Sequence, residues 1–139
     1  MTAVLPWSGR PGHHCFGCSP ANPGGLRLEF TADGDTLAAE FTLGRHFESY
    51  PGVVHGGITA VICDETMGNL IVLRHGVPAL TTSMRTRYVG VVGVGRTYRC
   101  VARATSGTHL VPASAEILDS HGQVVVTATA TYQMQRSSP

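Results

Sequence analysis

The hydrophobic pattern changes period twice along the chain. From residue 26 the apolar positions alternate, with Leu26, Leu28 and Phe30 on one side and Arg27 and Glu29 on the other, which is the period of a half-buried strand. Ala32-Asp33-Gly34-Asp35 reads as a hairpin turn, after which Leu37, Ala39, Phe41 and Leu43 continue the apolar face on a second strand. A loop from Gly44 to Gly52, containing Pro51, leads into a different pattern. Over residues 52–76 the spacing predicts one long helix: no proline interrupts it, Gly56-Gly57 gives a permissive entry, and Gly76 followed by Pro78 supplies a stop. Ile58, Val61, Ile62, Leu70, Ile71, Val72 and Leu73 spread round the circumference at about 100° per residue. No polar face remains, so the helix belongs inside the molecule.

Alternation then returns. Residues 81–88 are rich in β-branched and aromatic types, with Leu80, Thr82, Met84 and Tyr88 on one side and Thr81, Ser83, Arg85 and Arg87 on the other. A glycine-valine connector, Val89 to Gly95, precedes a strand in which Tyr98, Cys100, Ala102 and Ala104 share a face. Leu110 to Asp119 forms a further strand, where Pro112 predicts an irregularity or bulge. Ser120-His121-Gly122 turns it into a last one, with Val124, Val126, Ala128, Ala130, Tyr132 and Met134 on one face. The order β-β-α-β-β-β-β predicts an α+β fold whose curved antiparallel sheet wraps the single helix.

Composition narrows the partners. At 139 residues and 42% hydrophobic content, residues 1–139 read as one domain, with 1–12 as a flexible or extended N-terminal segment. A net charge of +1 with only 14% charged residues offers no basic stripe for nucleic acid. The N-terminus lacks the apolar core of a signal peptide and no later run approaches membrane-spanning length, so a cytoplasmic protein with no membrane partner is expected.

Asp64 shares its side of the helix with Ala60, Val61, Gly68 and Ile71, and a carboxylate inside an apolar stripe costs enough to suggest a task. Glu65 is its neighbour but points about 100° away, so the two cannot face one reacting carbon. His13, Cys15 and Cys18 have metal-ligand spacing but fill only three of the four positions zinc requires, and no second ligand pair follows, so no metal is expected. Cys63 and Cys100 read as small buried hydrophobes.

Three segments carry a resemblance: Cys15-Phe16-Gly17-Cys18-Ser19-Pro20-Ala21-Asn22-Pro23-Gly24-Gly25-Leu26, Val54-His55-Gly56-Gly57 through Asp64-Glu65-Thr66-Met67-Gly68, and Arg85-Thr86-Arg87-Tyr88. Together they resemble the hotdog-fold acyl-CoA thioesterases, particularly the phenylacetic acid degradation branch. In that family a His-Gly-Gly turn opens the central helix and the catalytic carboxylate follows the histidine by nine residues, which here is Asp64. The resemblance implies hydrolysis of an acyl-CoA thioester, with Asp64 as general base or nucleophile and the Gly57 N–H as oxyanion donor. Gly56 leaves the approach open, and His55 orients the turn, bonds the substrate or serves as a cap. Thr81 matches a position that holds the attacking water, with Thr82 and Ser83 as close alternatives. Ser49 stands where many relatives carry Asn or Gln to bind the carbonyl, and Glu65 makes a structural hydrogen bond or faces a subunit contact. Arg85 and Arg87 are phosphate contacts for coenzyme A in this reading, or simply a solvated strand face.

The family site is shared across a homodimer, which is expected here to pair into a tetramer, and it needs no cofactor. Asp64 lies roughly 10 Å of helical rise from Gly57, which is compatible with sharing. Two other readings stay open: an acyl-thioester hydratase or dehydratase of the same fold, and a non-catalytic acyl-CoA-binding protein.

Overall fold

A computed structural model describes residues 1–135, so the last four positions of the expected domain, 136–139, lie outside the described residues. Strands β1 (Thr31–Asp33) and β2 (Thr36–Thr42) precede a 3-10 turn at Arg45–Phe47 and the helix α1 (Gly56–His75). Four strands follow: β3 (Ala79–Tyr88), β4 (Thr97–Ala104), β5 (Leu110–Leu118) and β6 (Val124–Met134). All pair antiparallel in one six-stranded sheet ordered β1-β2-β4-β5-β6-β3, and α1 packs across β2 to β6 in the hotdog arrangement.

The core lies between helix and sheet. From α1 come Ile62, Cys63, Met67 and Ile71, all fully buried, and from the strands Leu37, Cys100, Ile117, Val126 and Tyr132. Cys63 and Cys100 are thus core residues, as the pattern predicts. The alternating faces of β4 and β6 are also as read, with Tyr98, Cys100 and Ala102 buried on one and Val126, Ala128, Ala130 and Tyr132 on the other.

The helix is shorter than residues 52–76. Val53 bridges Gly93, the Val54 N–H donates to Val92 O and the His55 N–H to Phe47 O, so this stretch is tied to two loops before α1 can begin. Its far end is where Gly76 places it: φ is 71° there, a left-handed conformation that favours glycine, and the N–H closes on Val72 O at 2.7 Å. With 20 residues and a most apolar window of mean hydropathy 1.3, α1 is long and apolar enough to cross a membrane, against the expectation that no run approaches that length. Here it is the core helix.

Residues 26–30 are not a sheet strand. Leu28 and Phe30 are buried as the alternation requires, but Arg27 has a φ of 52°, and the stretch pairs with other loops: Leu26 N–H to Phe16 O, Leu28 N–H to Gly17 O. Met1–Ala3 pairs antiparallel to Phe30–Ala32 and Leu5 enters the core, so the N-terminal segment is extended and docked.

The irregularity expected at Pro112 falls elsewhere. Pro112 sits in regular register opposite Thr131. Its carbonyl accepts from Thr105 N–H at 3.0 Å, and since N and O of a strand residue face the same side, its missing N–H faces the point where β4 has ended. The register shifts lie instead between Ile117 and Leu118 of β5, where Val125 of β6 is the extra residue, and in β3. Thr81 is opposite Tyr132 and Ser83 opposite Thr131, so Thr82 is an extra residue. Strict alternation grouped Thr81 with Arg85 and Arg87, whereas the bulge turns Thr81 toward the helix and leaves Ser83, Arg85 and Arg87 on the outer face.

Candidate active site

Asp64 sits two turns into α1 on the side facing β3 and β6. Thr81 Oγ1 donates to its Oδ1 at 2.7 Å, and the Tyr132 hydroxyl donates to the same oxygen at 2.8 Å and to the Asp64 carbonyl at 3.1 Å. Both side-chain donors therefore converge on Oδ1. Oδ2 has no hydrogen-bond partner among the described residues, yet no buried polar atom is unsatisfied, so Oδ2 is open to solvent. Asp64 lines a groove of 190 Å³ together with Trp7, Cys15, Glu65, Ala79, Thr81 and Tyr132.

The sequence fits this geometry through two small features. A Cβ on Gly68, one turn beyond Asp64, would come within 3.3 Å of the Tyr132 ring, so glycine lets that ring lie against the helix with its hydroxyl at the carboxylate. Burial, and then the Asp64 charge, raise the Tyr132 pKa well above the ordinary phenol range, so it stays a donor at any working pH.

At the start of α1, His55 is the N-cap. Its Nδ1 accepts from Gly57 N–H at 2.9 Å, which requires a neutral ring with its proton on Nε2, and the ring is exposed. The helix opening thus presents an imidazole N–H donor together with the partial positive charge of its first turn. Gly57 N–H is engaged by its own cap. Tyr88, at the end of β3, donates its hydroxyl to Gly56 O at 2.6 Å and fixes the turn against the strand.

Glu65 points into a different environment. Asn69 Nδ2 donates to its Oε2 at 3.0 Å, and Cys15 Sγ lies 3.3 Å from its Oε1. Burial first, and then the negative charge of the Cys15 sulfur, push its pKa up to about 8, while hydrogen bonding from Cys18 is the main cause that lowers Cys15 to about 5. The structural hydrogen bond expected of Glu65 is the one to Asn69.

The remaining candidates divide clearly. Thr81 is beside Asp64, but its hydroxyl is spent on the carboxylate and orients it. Thr82 and Ser83 are not at the site, since both bond Thr131. Ser49 closes the loop before α1, its N–H and hydroxyl both donating to Val53 O. Arg85 and Arg87 are exposed on the face of β3 opposite to Asp64 and make no ion pair among the described residues. Tyr132 was read only as part of an apolar face. The signal for it was a tyrosine ending a run of small buried residues, because a buried hydroxyl needs a partner.

No protein-family profile matches the chain, and no curated protein matches it. Solved structures do share its fold. Zebra fish thioesterase superfamily member 2 superposes with a TM-score of 0.71 at 20% identity, over 78% of this chain and 81% of the other. A Streptococcus mutans protein bound to acetyl CoA gives 0.72 at 19% identity, over 81% and 91%. A phenylacetic acid degradation-related protein from Ralstonia eutropha gives 0.73 at 23% identity, over 86% and 92%. At these identities the likeness establishes the fold.

Proposed function

We propose that the chain hydrolyses the thioester of an acyl-CoA, with Asp64 as general base on water or as the nucleophile itself. The observation that carries this is the anchoring of Oδ1 by Thr81 and Tyr132, which leaves Oδ2 free on a residue that lines the groove. In the water route, Oδ2 takes a proton as the oxygen attacks the acyl carbon. The carbonyl oxygen becomes an alkoxide, the C–S bond breaks as it collapses, and the proton leaves with the CoA thiolate. An alkoxide needs donors, and the opening of α1 supplies them through the His55 Nε2–H, with the Gly57 N–H released if the ring swings away.

Gly57 precedes Asp64 by roughly 10 Å along the axis, so we place the two in one site by pairing copies, Asp64 from one and the helix start from its partner. The long edge strand β3 supports this, because its ten residues have a neighbour on one side only and Leu80 and Tyr88 are each about half exposed. Further pairing would give the tetramer. Coenzyme A phosphates would meet Arg85 and Arg87 across such an assembly, and four free cysteines suit a reducing cytoplasm.

The solved structures of the same fold that carry CoA or acetyl CoA support the substrate class. A panel of aromatic, short and long acyl-CoAs with detection of free thiol tests the proposal, and release of thiol from at least one is expected. Tight binding of every ester with no thiol, or hydration of crotonyl-CoA in its place, would overturn it. An active monomer in light scattering would remove the shared site.

A further inference from the structure

His13, Cys15 and Cys18 fill three of the four positions that zinc takes, and the fold brings a fourth donor beside them. His13 Nε2, Cys15 Sγ and Cys18 Sγ lie within 4.8 Å of one another, with Cys18 Sγ 4.0 Å from His13 Nε2. On the other side of Cys15, 3.3 Å away, stands Glu65 Oε1 from α1. Donor atoms on a tetrahedral zinc are roughly 3.5–3.8 Å apart, given Zn–S near 2.3 Å and Zn–N near 2.0 Å. The 3.3 and 4.0 Å spacings lie on either side of that range, and the wider ones close on binding, with Glu65 Oε1 drawn in from just outside the three-residue cluster.

The surroundings are built for the cluster. Gly17 lies so close over Glu65 that a Cβ there would overlap its Cγ and Cδ, so glycine is what admits the carboxyl beneath the loop. The loop is held from behind by Ser19, whose hydroxyl donates to His13 O at 2.9 Å and whose N–H donates to Cys15 O at 3.1 Å. Asn69 fixes Glu65 Oε2 and so leaves Oε1 toward the sulfurs, the kind of outer contact that orients a metal ligand. No cation offsets this carboxyl, since both ion pairs among the described residues lie elsewhere.

We propose that His13, Cys15, Cys18 and Glu65 bind a zinc ion that fastens the N-terminal loop to α1 beside Asp64. Two thiolates, an imidazole and a carboxylate are a borderline-soft set that suits Zn²⁺ in a closed, four-coordinate site. The ion clamps one wall of the groove that Asp64 also lines, and it takes no part in the hydrolysis proposed above.

The test uses the full chain purified in reductant. Metal analysis is expected to find one zinc per chain, and the chelated protein should regain one equivalent from Zn²⁺ alone. Co²⁺ in its place should give the intense absorption of a cobalt–thiolate bond, lost in Cys18→Ser and His13→Ala. Glu65→Gln should keep that absorption but weaken Zn²⁺ binding by at least ~10-fold, since even an outer contact is worth that much. Should a variant fail to fold, protection of Cys15 and Cys18 from alkylation by added Zn²⁺ gives the same answer on the wild type. Failure of the chelated wild type to take up Zn²⁺, equal alkylation with and without it, or a Cys15–Cys18 disulfide in reductant overturns the site. Equal affinity in wild type and Glu65→Gln overturns the fourth ligand. Each readout is independent of turnover.

Discussion

The two flanks of α1 treat the same functional group in opposite ways. Toward β3 and β6, Asp64 meets two hydroxyl donors on one oxygen and solvent on the other. Toward the N-terminal loop, Glu65 meets one amide donor and the Cys15 sulfur, with no cation to offset its burial. They are adjacent in sequence, and one residue of helical rotation separates a carboxylate with one oxygen open to solvent from a carboxyl buried beneath a loop. What surrounds each group, more than its position in a motif, assigns its task.

The strongest way to break this comparison is Asp64→Asn. It keeps the shape and removes the base, so turnover should fall by at least ~100-fold in a free-thiol assay. If that variant hydrolyses its best acyl-CoA at near wild-type rate while Glu65→Gln is dead, the roles are exchanged. Next is Tyr132→Phe, which strips a donor from Oδ1 while keeping the ring against Gly68. A hydrogen bond to a charged group is worth about 1.5–3 kcal/mol, so urea unfolding should show a loss near the lower figure and turnover should drop about tenfold. Unchanged kinetics would mean Thr81 alone orients the carboxylate.

Thr81→Ala removes the more exposed donor and should cost about fivefold in turnover, from roughly 1 kcal/mol, with Thr81→Ser recovering most of it. Failure of serine to rescue would assign the effect to packing. Glu65→Gln should cost the least turnover, and it sharpens the contrast through pH. In metal-free wild type the folded state binds the Glu65 proton more tightly than the unfolded chain, with a pKa raised from 4.5 to about 8. Stability from this group is full below 4.5 and is lost as pH rises to about 8, so Glu65→Gln should gain on the wild type over that interval in thermal melts with chelator. A difference that does not vary with pH would mean the carboxyl is solvated.

Much of the frame was legible because it depends on local signals. The alternation of β4 and β6, the stop at Gly76 and the apolar character of α1 all follow from residue types a few positions apart. The register of Asp64 came through the family resemblance, and its apolar stripe was visible without it. What escaped the sequence depended on contacts between distant segments. Residues 52–55 look helical until Val92 and Phe47 claim their N–H groups. Leu26 to Phe30 alternate as a strand would, yet their partners are loops. Thr81, Thr82 and Ser83 are too alike in size and polarity for the inserted one to be identified, and nothing near Cys15 in the chain indicates Glu65.

The extra residue in β3 also decides where this strand can change length. Along a regular ladder, losing one residue turns over every side chain beyond the cut, so a deletion at Met84 would bring Arg85 and Arg87 against the helix. Thr82 has no place in that alternation: Thr81 and Ser83 already face successive residues of β6. It is the position at which an insertion or deletion leaves both halves of β3 in phase, and two chains of this fold that differ by one residue in the strand should be aligned with their gap there.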